Sequence, residues 1–142
     1  FYNPNIHPRS EYQSRLAAVR EVAKELEIEM IIPDWRPKEF FEAIEGNKGR
    51  CEKCWKLRVE KTAEQARNKH FDCFSTTLLA SKHQDQKKIT YLGKTAGNRL
   101  GVKFETPGKM ADEPTSGFYK QFFCGCVDSL KERFEEKYYT RD

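Results

Sequence analysis

Four of the five cysteines fall into two close pairs, Cys51-Glu52-Lys53-Cys54 and Cys124-Gly125-Cys126. Thiolates at such spacing chelate soft metals, and two pairs make a four-sulfur ligand set. A Cys-x-x-Cys at a helix start points both sulfurs to one side, where the helix N-terminus favours the anionic form. In Cys124-Gly125-Cys126 the glycine permits an unusual turn that aims both sulfurs at one point. The pairs lie about half the chain apart, so folding must bring them together around one centre.

Charged residues make up 34% of the chain and no secretory signal opens it, which argues against a disulfide framework. Four thiolates suit zinc or an iron–sulfur cluster, and spacing does not choose between them. The Cys-x-Cys departs from the paired Cys-x-x-Cys knuckles of a zinc ribbon. Phe118, Tyr119, Phe122 and Phe123 would wall the second pair with aromatic rings, which suits a redox cluster. The plain alternative is four unligated buried thiols. Another is a thiol oxidoreductase working through Cys51 and Cys54 alone. Cys73 stands apart and reads as core.

The elements that position these residues follow from periodicity. Asn3 to Pro8 is a loop, because two prolines and two asparagines forbid a regular element. Ser10 reads as an N-cap, and Leu16, Val19, Ala23 and Leu26 predict an amphipathic helix over 11–26. Ile28 to Ile32, closed by Pro33, reads as a buried strand. Pro37 opens a helix through Phe40, Phe41 and Ile44. A helix runs from Cys51 to about Asn68, and 71–79 reads as a central strand. Helix 85–99 and a short strand Val102–Phe104 follow. Residues 109–116 form an irregular loop. Val127, Leu130, Phe134 and Tyr138 mark a last helix, and the tail 139–142 frays. Strands and helices in alternation predict one three-layer α/β domain over 1–142 with a mostly parallel, Rossmann-like sheet.

Other side chains have possible roles. His7 lies in a proline-rich loop, where it binds substrate, donates a proton or only fixes the loop. Ser75 and Thr76 sit at a strand end, where ligands of such sheets bind, or simply favour a strand. Arg58, one turn after Cys54, faces the metal centre, a phosphate or solvent. The net charge of +4 permits a nucleic-acid partner without establishing one. No apolar run is long enough to span a membrane. Phe1-Tyr2-Asn3-Pro4 reads as a strand end running into a loop, so residues are expected before Phe1 in the native protein.

Taken together, these residues resemble a known family. Phe1-Tyr2-Asn3-Pro4-Asn5-Ile6-His7-Pro8, with Glu11-Tyr12 and Arg15, is similar to its opening loop and helix. Cys51-x-x-Cys54-Trp55-x-x-Arg58, Phe74-Ser75-Thr76-Thr77-Leu78 and Tyr119-Lys120-Gln121-x-x-Cys124-Gly125-Cys126 complete the likeness. The family is that of the cobalamin-independent epoxyqueuosine reductases, the QueH type, and the resemblance runs from Phe1 to about Leu130. It implies a cytoplasmic enzyme with a Rossmann-like (HUP-like) fold that performs the last step of queuosine synthesis in tRNA. The epoxide oxygen of the wobble nucleoside is removed, giving a cyclopentene and water. It also implies an iron–sulfur cluster, of 4Fe-4S type, with a second mononuclear iron nearby. Cys51, Cys54, Cys124 and Cys126 match the family's metal-binding cysteines. The family begins with a strand and an adjacent cysteine pair, which this chain lacks. Those residues are expected upstream of Phe1.

Deoxygenating an epoxide needs two electrons, a Lewis acid for the oxygen, and protons. An external electron donor is therefore implied. His7, Tyr119 and Gln121 are the candidates for orienting substrate or donating protons. Arg9, with Lys48, Arg50, Lys53 and Lys56, contacts tRNA phosphate or forms a solvated face. The rival reading is a zinc-stabilised α/β module that binds RNA without redox chemistry.

Overall fold

The structure, a computed structural model, describes all residues except Asn47, 109–118 and 139–142. Among the described residues are helices α1 (Arg9–Glu25), α2 (Pro37–Ala43), α3 (Arg50–Asn68), α4 (Gln86–Leu100) and α5 (Val127–Tyr138). Two short strands, β1 (Cys73–Phe74) and β2 (Lys103–Phe104), pair in parallel. The chain is α/β. It divides into two compact units, one built from Phe1, 3–39 and 119–138, the other from Tyr2 and 40–108.

In the second unit, the apolar faces of α3 and α4 bury Val59, Ala63, Ala66, Ile89 and Ala96 with Phe74, Leu78, Val102 and Phe104. Small residues let α4 lie directly on β2. A Cβ at Gly93 would stand 2.4 Å from the Phe104 ring, and one at Gly97 would stand 2.4 Å from the Val102 carbonyl oxygen. Phe74 pairs with Phe104 in register, their rings edge to face at 5.1 Å. Asp85 caps α4 by accepting the Lys88 N–H at 2.9 Å. Gly101, at φ 71, ends it. Strand, helix and adjacent parallel strand form a βαβ unit.

In the first unit, Ile6, Tyr12 and Leu16 form the core, with Phe1, Met30, Ile32 and Trp35 packed on it. Glu27, at φ 54, turns the chain out of α1, and the Ile28 N–H closes the helix on the Ala23 carbonyl at 2.8 Å.

Several expectations about elements need correction. Residues 28–32 join no ladder among the described residues, and Ile28 is 58% exposed. Alternation sends Met30 and Ile32 inward and leaves Ile31 out, so the run is half-buried. The strand expected over 71–79 shrinks to Cys73–Phe74, because the Thr76 hydroxyl accepts the Leu78 N–H and starts a 3-10 turn over Thr77–Ala80. Ser10 is not the cap of α1; Pro8 is, with no side-chain hydrogen bond, and the Ser10 carbonyl accepts the Ser14 hydroxyl. Cys73, expected in the core, is exposed, since alternation in β1 turns Phe74 inward instead. The expected loop 109–116, the tail 139–142 and Phe118 lie outside the described residues.

Candidate functional site

The first unit holds the Cys124-Gly125-Cys126 pair. The two sulfurs stand 3.8 Å apart. Two thiolates on one tetrahedral metal, with bonds of about 2.3 Å, stand about 3.8 Å from each other, so the pair fits a shared ion. Cys126 sits at the start of α5: its carbonyl accepts the Leu130 N–H and its sulfur accepts the Ser129 N–H at 3.3 Å. The positive end of the helix dipole thus faces that sulfur. Gly125 adopts φ 119, a conformation open to glycine alone at low cost. A Cβ there would meet Ile6 at 2.9 Å, Asn5 at 3.1 Å and Arg15 at 3.3 Å. The glycine expected to shape this turn does so.

The loop is gripped from α1. Arg15, 4% exposed, donates to the Phe123 carbonyl at 2.8 Å, the Cys124 carbonyl at 3.1 Å and the Gln121 amide oxygen at 3.1 Å. Its guanidinium lies over the Phe123 ring, 5.1 Å from the centroid. Glu11 accepts from Arg15 Nε at 2.7 Å, and its other oxygen accepts the Tyr119 hydroxyl. That hydrogen bond, more than burial, raises the Tyr119 pKa. The phenol therefore keeps its proton through neutral pH. The His7 N–H donates to the Gly125 carbonyl at 2.8 Å. Burial lowers the His7 pKa, and Asp128 partly opposes this. Tyr119 and Phe122 are exposed and Phe123 is half-buried, so the aromatic wall is dry only in part.

Sequence reasoning counted Glu11 and Arg15 among the residues that carry the family likeness but gave neither a role at the site. The available signal was spacing: 12, 15, 16 and 23 form the buried face of α1, and an arginine on that face requires acceptors.

Arg9 lies at the start of α1, its guanidinium 6.0 Å from the centroid of the Trp35 ring. Both line an open cleft of about 500 Å³ with Tyr12, Arg20 and Asp34.

The second unit holds the other pair. Cys51 and Cys54 lie one turn apart in the opening of α3, Cys51 exposed and Cys54 buried. Gly49, at φ 70, starts the helix. Its first turn is tied down by Lys53 Nζ donating to the Glu45 carbonyl at 2.7 Å and by the Glu52–Lys88 ion pair at 3.0 Å. Trp55 Nε1 donates to Gln84 at 2.7 Å. Arg58, half-buried, follows one turn on. Ser75 is exposed after β1, while the Thr76 oxygen already serves as the cap of the 3-10 turn.

The sequence-predicted residues thus fall into two groups: His7, Arg9, Tyr119, Gln121, Cys124 and Cys126 in one unit, Cys51, Cys54, Arg58, Ser75 and Thr76 in the other. Within each unit, among the described residues, no three His, Cys, Asp or Glu side chains gather closely enough to hold a metal ion.

The family model described as epoxyqueuosine reductase QueH matches residues 1–132. The epoxyqueuosine reductase QueH of Thermotoga maritima is 37% identical, over 96% of this chain and 80% of its own length. That of Dehalococcoides mccartyi is 34% identical, over 94% and 79%. That of Helicobacter pylori is 30% identical, over 96% of this chain and 43% of its own length. With nearly its whole length matched, the chain belongs to the QueH family of epoxyqueuosine reductases.

Proposed function

We propose that this protein reduces epoxyqueuosine to queuosine at the wobble position of tRNA, in the cytoplasm. The balance is epoxide plus two electrons and two protons, giving alkene and water. An external donor supplies the electrons. Cys51, Cys54, Cys124 and Cys126 would hold an iron–sulfur cluster of 4Fe-4S type with a second iron nearby, and that group when bound supplies electrons and a Lewis acid for the epoxide oxygen. The βαβ unit is read as part of a three-layer Rossmann-like (HUP-like) sheet, which places Ser75 and Thr76 at a strand's C-terminal end.

The chain's own residues bind, orient and move protons. Tyr119, whose hydroxyl donates to Glu11 and stays protonated at neutral pH, orients the substrate or donates a proton to it. Gln121 uses its amide oxygen on Arg15 and keeps its amide N–H₂ for substrate. His7, depressed below the usual histidine range, serves as a neutral hydrogen-bonding group. Arg9 beside Trp35 offers charge and an aromatic face to a splayed nucleotide, and Arg58 and Ser75 offer further contacts.

The observation that carries this reading is the sulfur pair facing at 3.8 Å, in a chain of this family. The test is anaerobic purification with iron and sulfide analysis, then incubation with epoxyqueuosine-containing tRNA and a one-electron reductant. Nucleoside mass spectrometry should show queuosine with the wild-type protein and none with Cys124→Ala. Stoichiometric zinc, no sulfide and unchanged epoxyqueuosine would instead identify a zinc-stabilised RNA-binding module. Conversion that survives Cys124→Ala and Cys126→Ala would leave a thiol reaction at Cys51 and Cys54.

A further inference from the structure

We propose that Arg15 is the positioning residue of the Cys124–Cys126 pair: its buried guanidinium fixes the loop so that both sulfurs face one point. Four consecutive carbonyls define that loop, and each has a donor. Arg15 Nη2 holds Phe123, Arg15 Nη1 holds Cys124, the His7 N–H holds Gly125, and the Leu130 N–H holds Cys126. Two of the four bonds come from one side chain in a helix more than a hundred positions earlier. The planar fork of guanidinium donors matches this task, because it reaches two carbonyls, Gln121 and Glu11 at once. A lysine ammonium keeps the charge and cannot span those acceptors.

Arg15 is itself fixed from two sides. The Glu11 carboxylate holds Nε in an ion pair whose side chains are 5% and 12% exposed. The Phe123 ring lies against the guanidinium, its centroid 5.1 Å from the guanidinium carbon. Nη1 also packs close to Gly125: a Cβ on that glycine would stand 3.3 Å from it. The residue thus contacts the backbone on both sides of the first cysteine while its charge is balanced elsewhere. It orients the sulfurs through their backbone and does not need to touch metal or substrate.

The inference rests on reading Cys124 and Cys126 as ligands of one centre, and its test does not require the reductase reaction. Phenylarsine oxide bridges two thiols only when they face each other closely. With reduced, metal-free full chain, one arsenic should bridge Cys124 and Cys126, as located by peptide mass spectrometry. Arg15→Lys should slow this bridging at least tenfold. Single-thiol alkylation at Cys51 and the urea midpoint should stay near wild type, which separates lost positioning from lost folding. A folded Arg15→Lys protein that bridges at the wild-type rate overturns the proposal. Should Arg15→Lys not fold, Glu11→Gln keeps side-chain shape and removes the charge that holds Nε, together with one of the two acceptor oxygens. It should slow bridging at least threefold, and an unchanged rate again overturns the proposal. Slowed bridging in a protein that never converts epoxyqueuosine would leave Arg15 in place and discard the reductase reading instead.

Discussion

The His7 backbone N–H donates to the Gly125 carbonyl, so the charge on its side chain falls beside the loop that carries two of the cysteines. Burial lowers its pKa in the folded chain, whereas the unfolded chain titrates near 6.5. Between those two values the unfolded state binds more protons, so stability is full above about pH 6.5 and falls as pH drops towards the folded value. Urea midpoints of reduced protein measured from pH 7.5 to 5 should therefore decline, and His7→Gln should remove part of that decline. Equal slopes for the two proteins would show that His7 is not the group responsible. The cysteine pairs stood out from residue type and spacing, whereas Tyr119 and Gln121 were singled out only beside the family resemblance. The grip of Arg15 could not be picked out, because its acceptors are carbonyls whose position depends on the fold.

At the scale of elements, opposed effects meet at Gly97 in α4. Helix propensity alone makes Gly→Ala stabilising by about 1 kcal/mol. The added Cβ, however, would stand 2.4 Å from the Val102 carbonyl, a backbone atom that yields only if β2 moves. Overpacking of this kind costs about 1–3 kcal/mol, so the clash wins. Gly97→Ala should lower the midpoint of chemical unfolding, and Gly93→Ala should cost less, because its clash is with the Phe104 ring. A gain in stability from Gly97→Ala would mean that α4 does not rest on β2 as described. The helices were legible to within a residue or two because apolar periodicity is local: 11–26 became Arg9–Glu25, and 85–99 became Gln86–Leu100. Strands were not, because a ladder depends on a distant partner. The short strand at Val102–Phe104 was the exception, recognisable from the Thr106-Pro107-Gly108 that stops it. The run 71–79 misled because Thr76 and Thr77 favour strands by propensity, yet here one hydroxyl caps a turn.

For the molecule as a whole, the charge balance is modest: 26 basic against 22 acidic residues. Local arrangement must then matter more than net charge if tRNA is the substrate. Two of the basic residues first picked out already have a neighbour. Lys53 is bound to the Glu45 carbonyl and Arg9 lies beside Trp35. Lys48 and Lys56 are exposed and carry no ion pair among the described residues. Among those residues, too, no helix is long and apolar enough to cross a membrane. An exposed ammonium with no carboxylate to neutralise it loses least by moving to a phosphate, and each phosphate so neutralised releases counterions. The double variant Lys48→Ala with Lys56→Ala should therefore weaken tRNA binding. It should also flatten the dependence of log K on log salt, by about 0.7 for each phosphate of a single-stranded loop that is no longer neutralised. Filter binding of the anticodon stem-loop at several salt concentrations measures both quantities. An unchanged slope with an unchanged affinity would remove this edge of the second unit from the tRNA interface. A weakened affinity with an unchanged slope would point instead to a missing hydrogen bond or poorer packing, since only displaced counterions make affinity depend so steeply on salt.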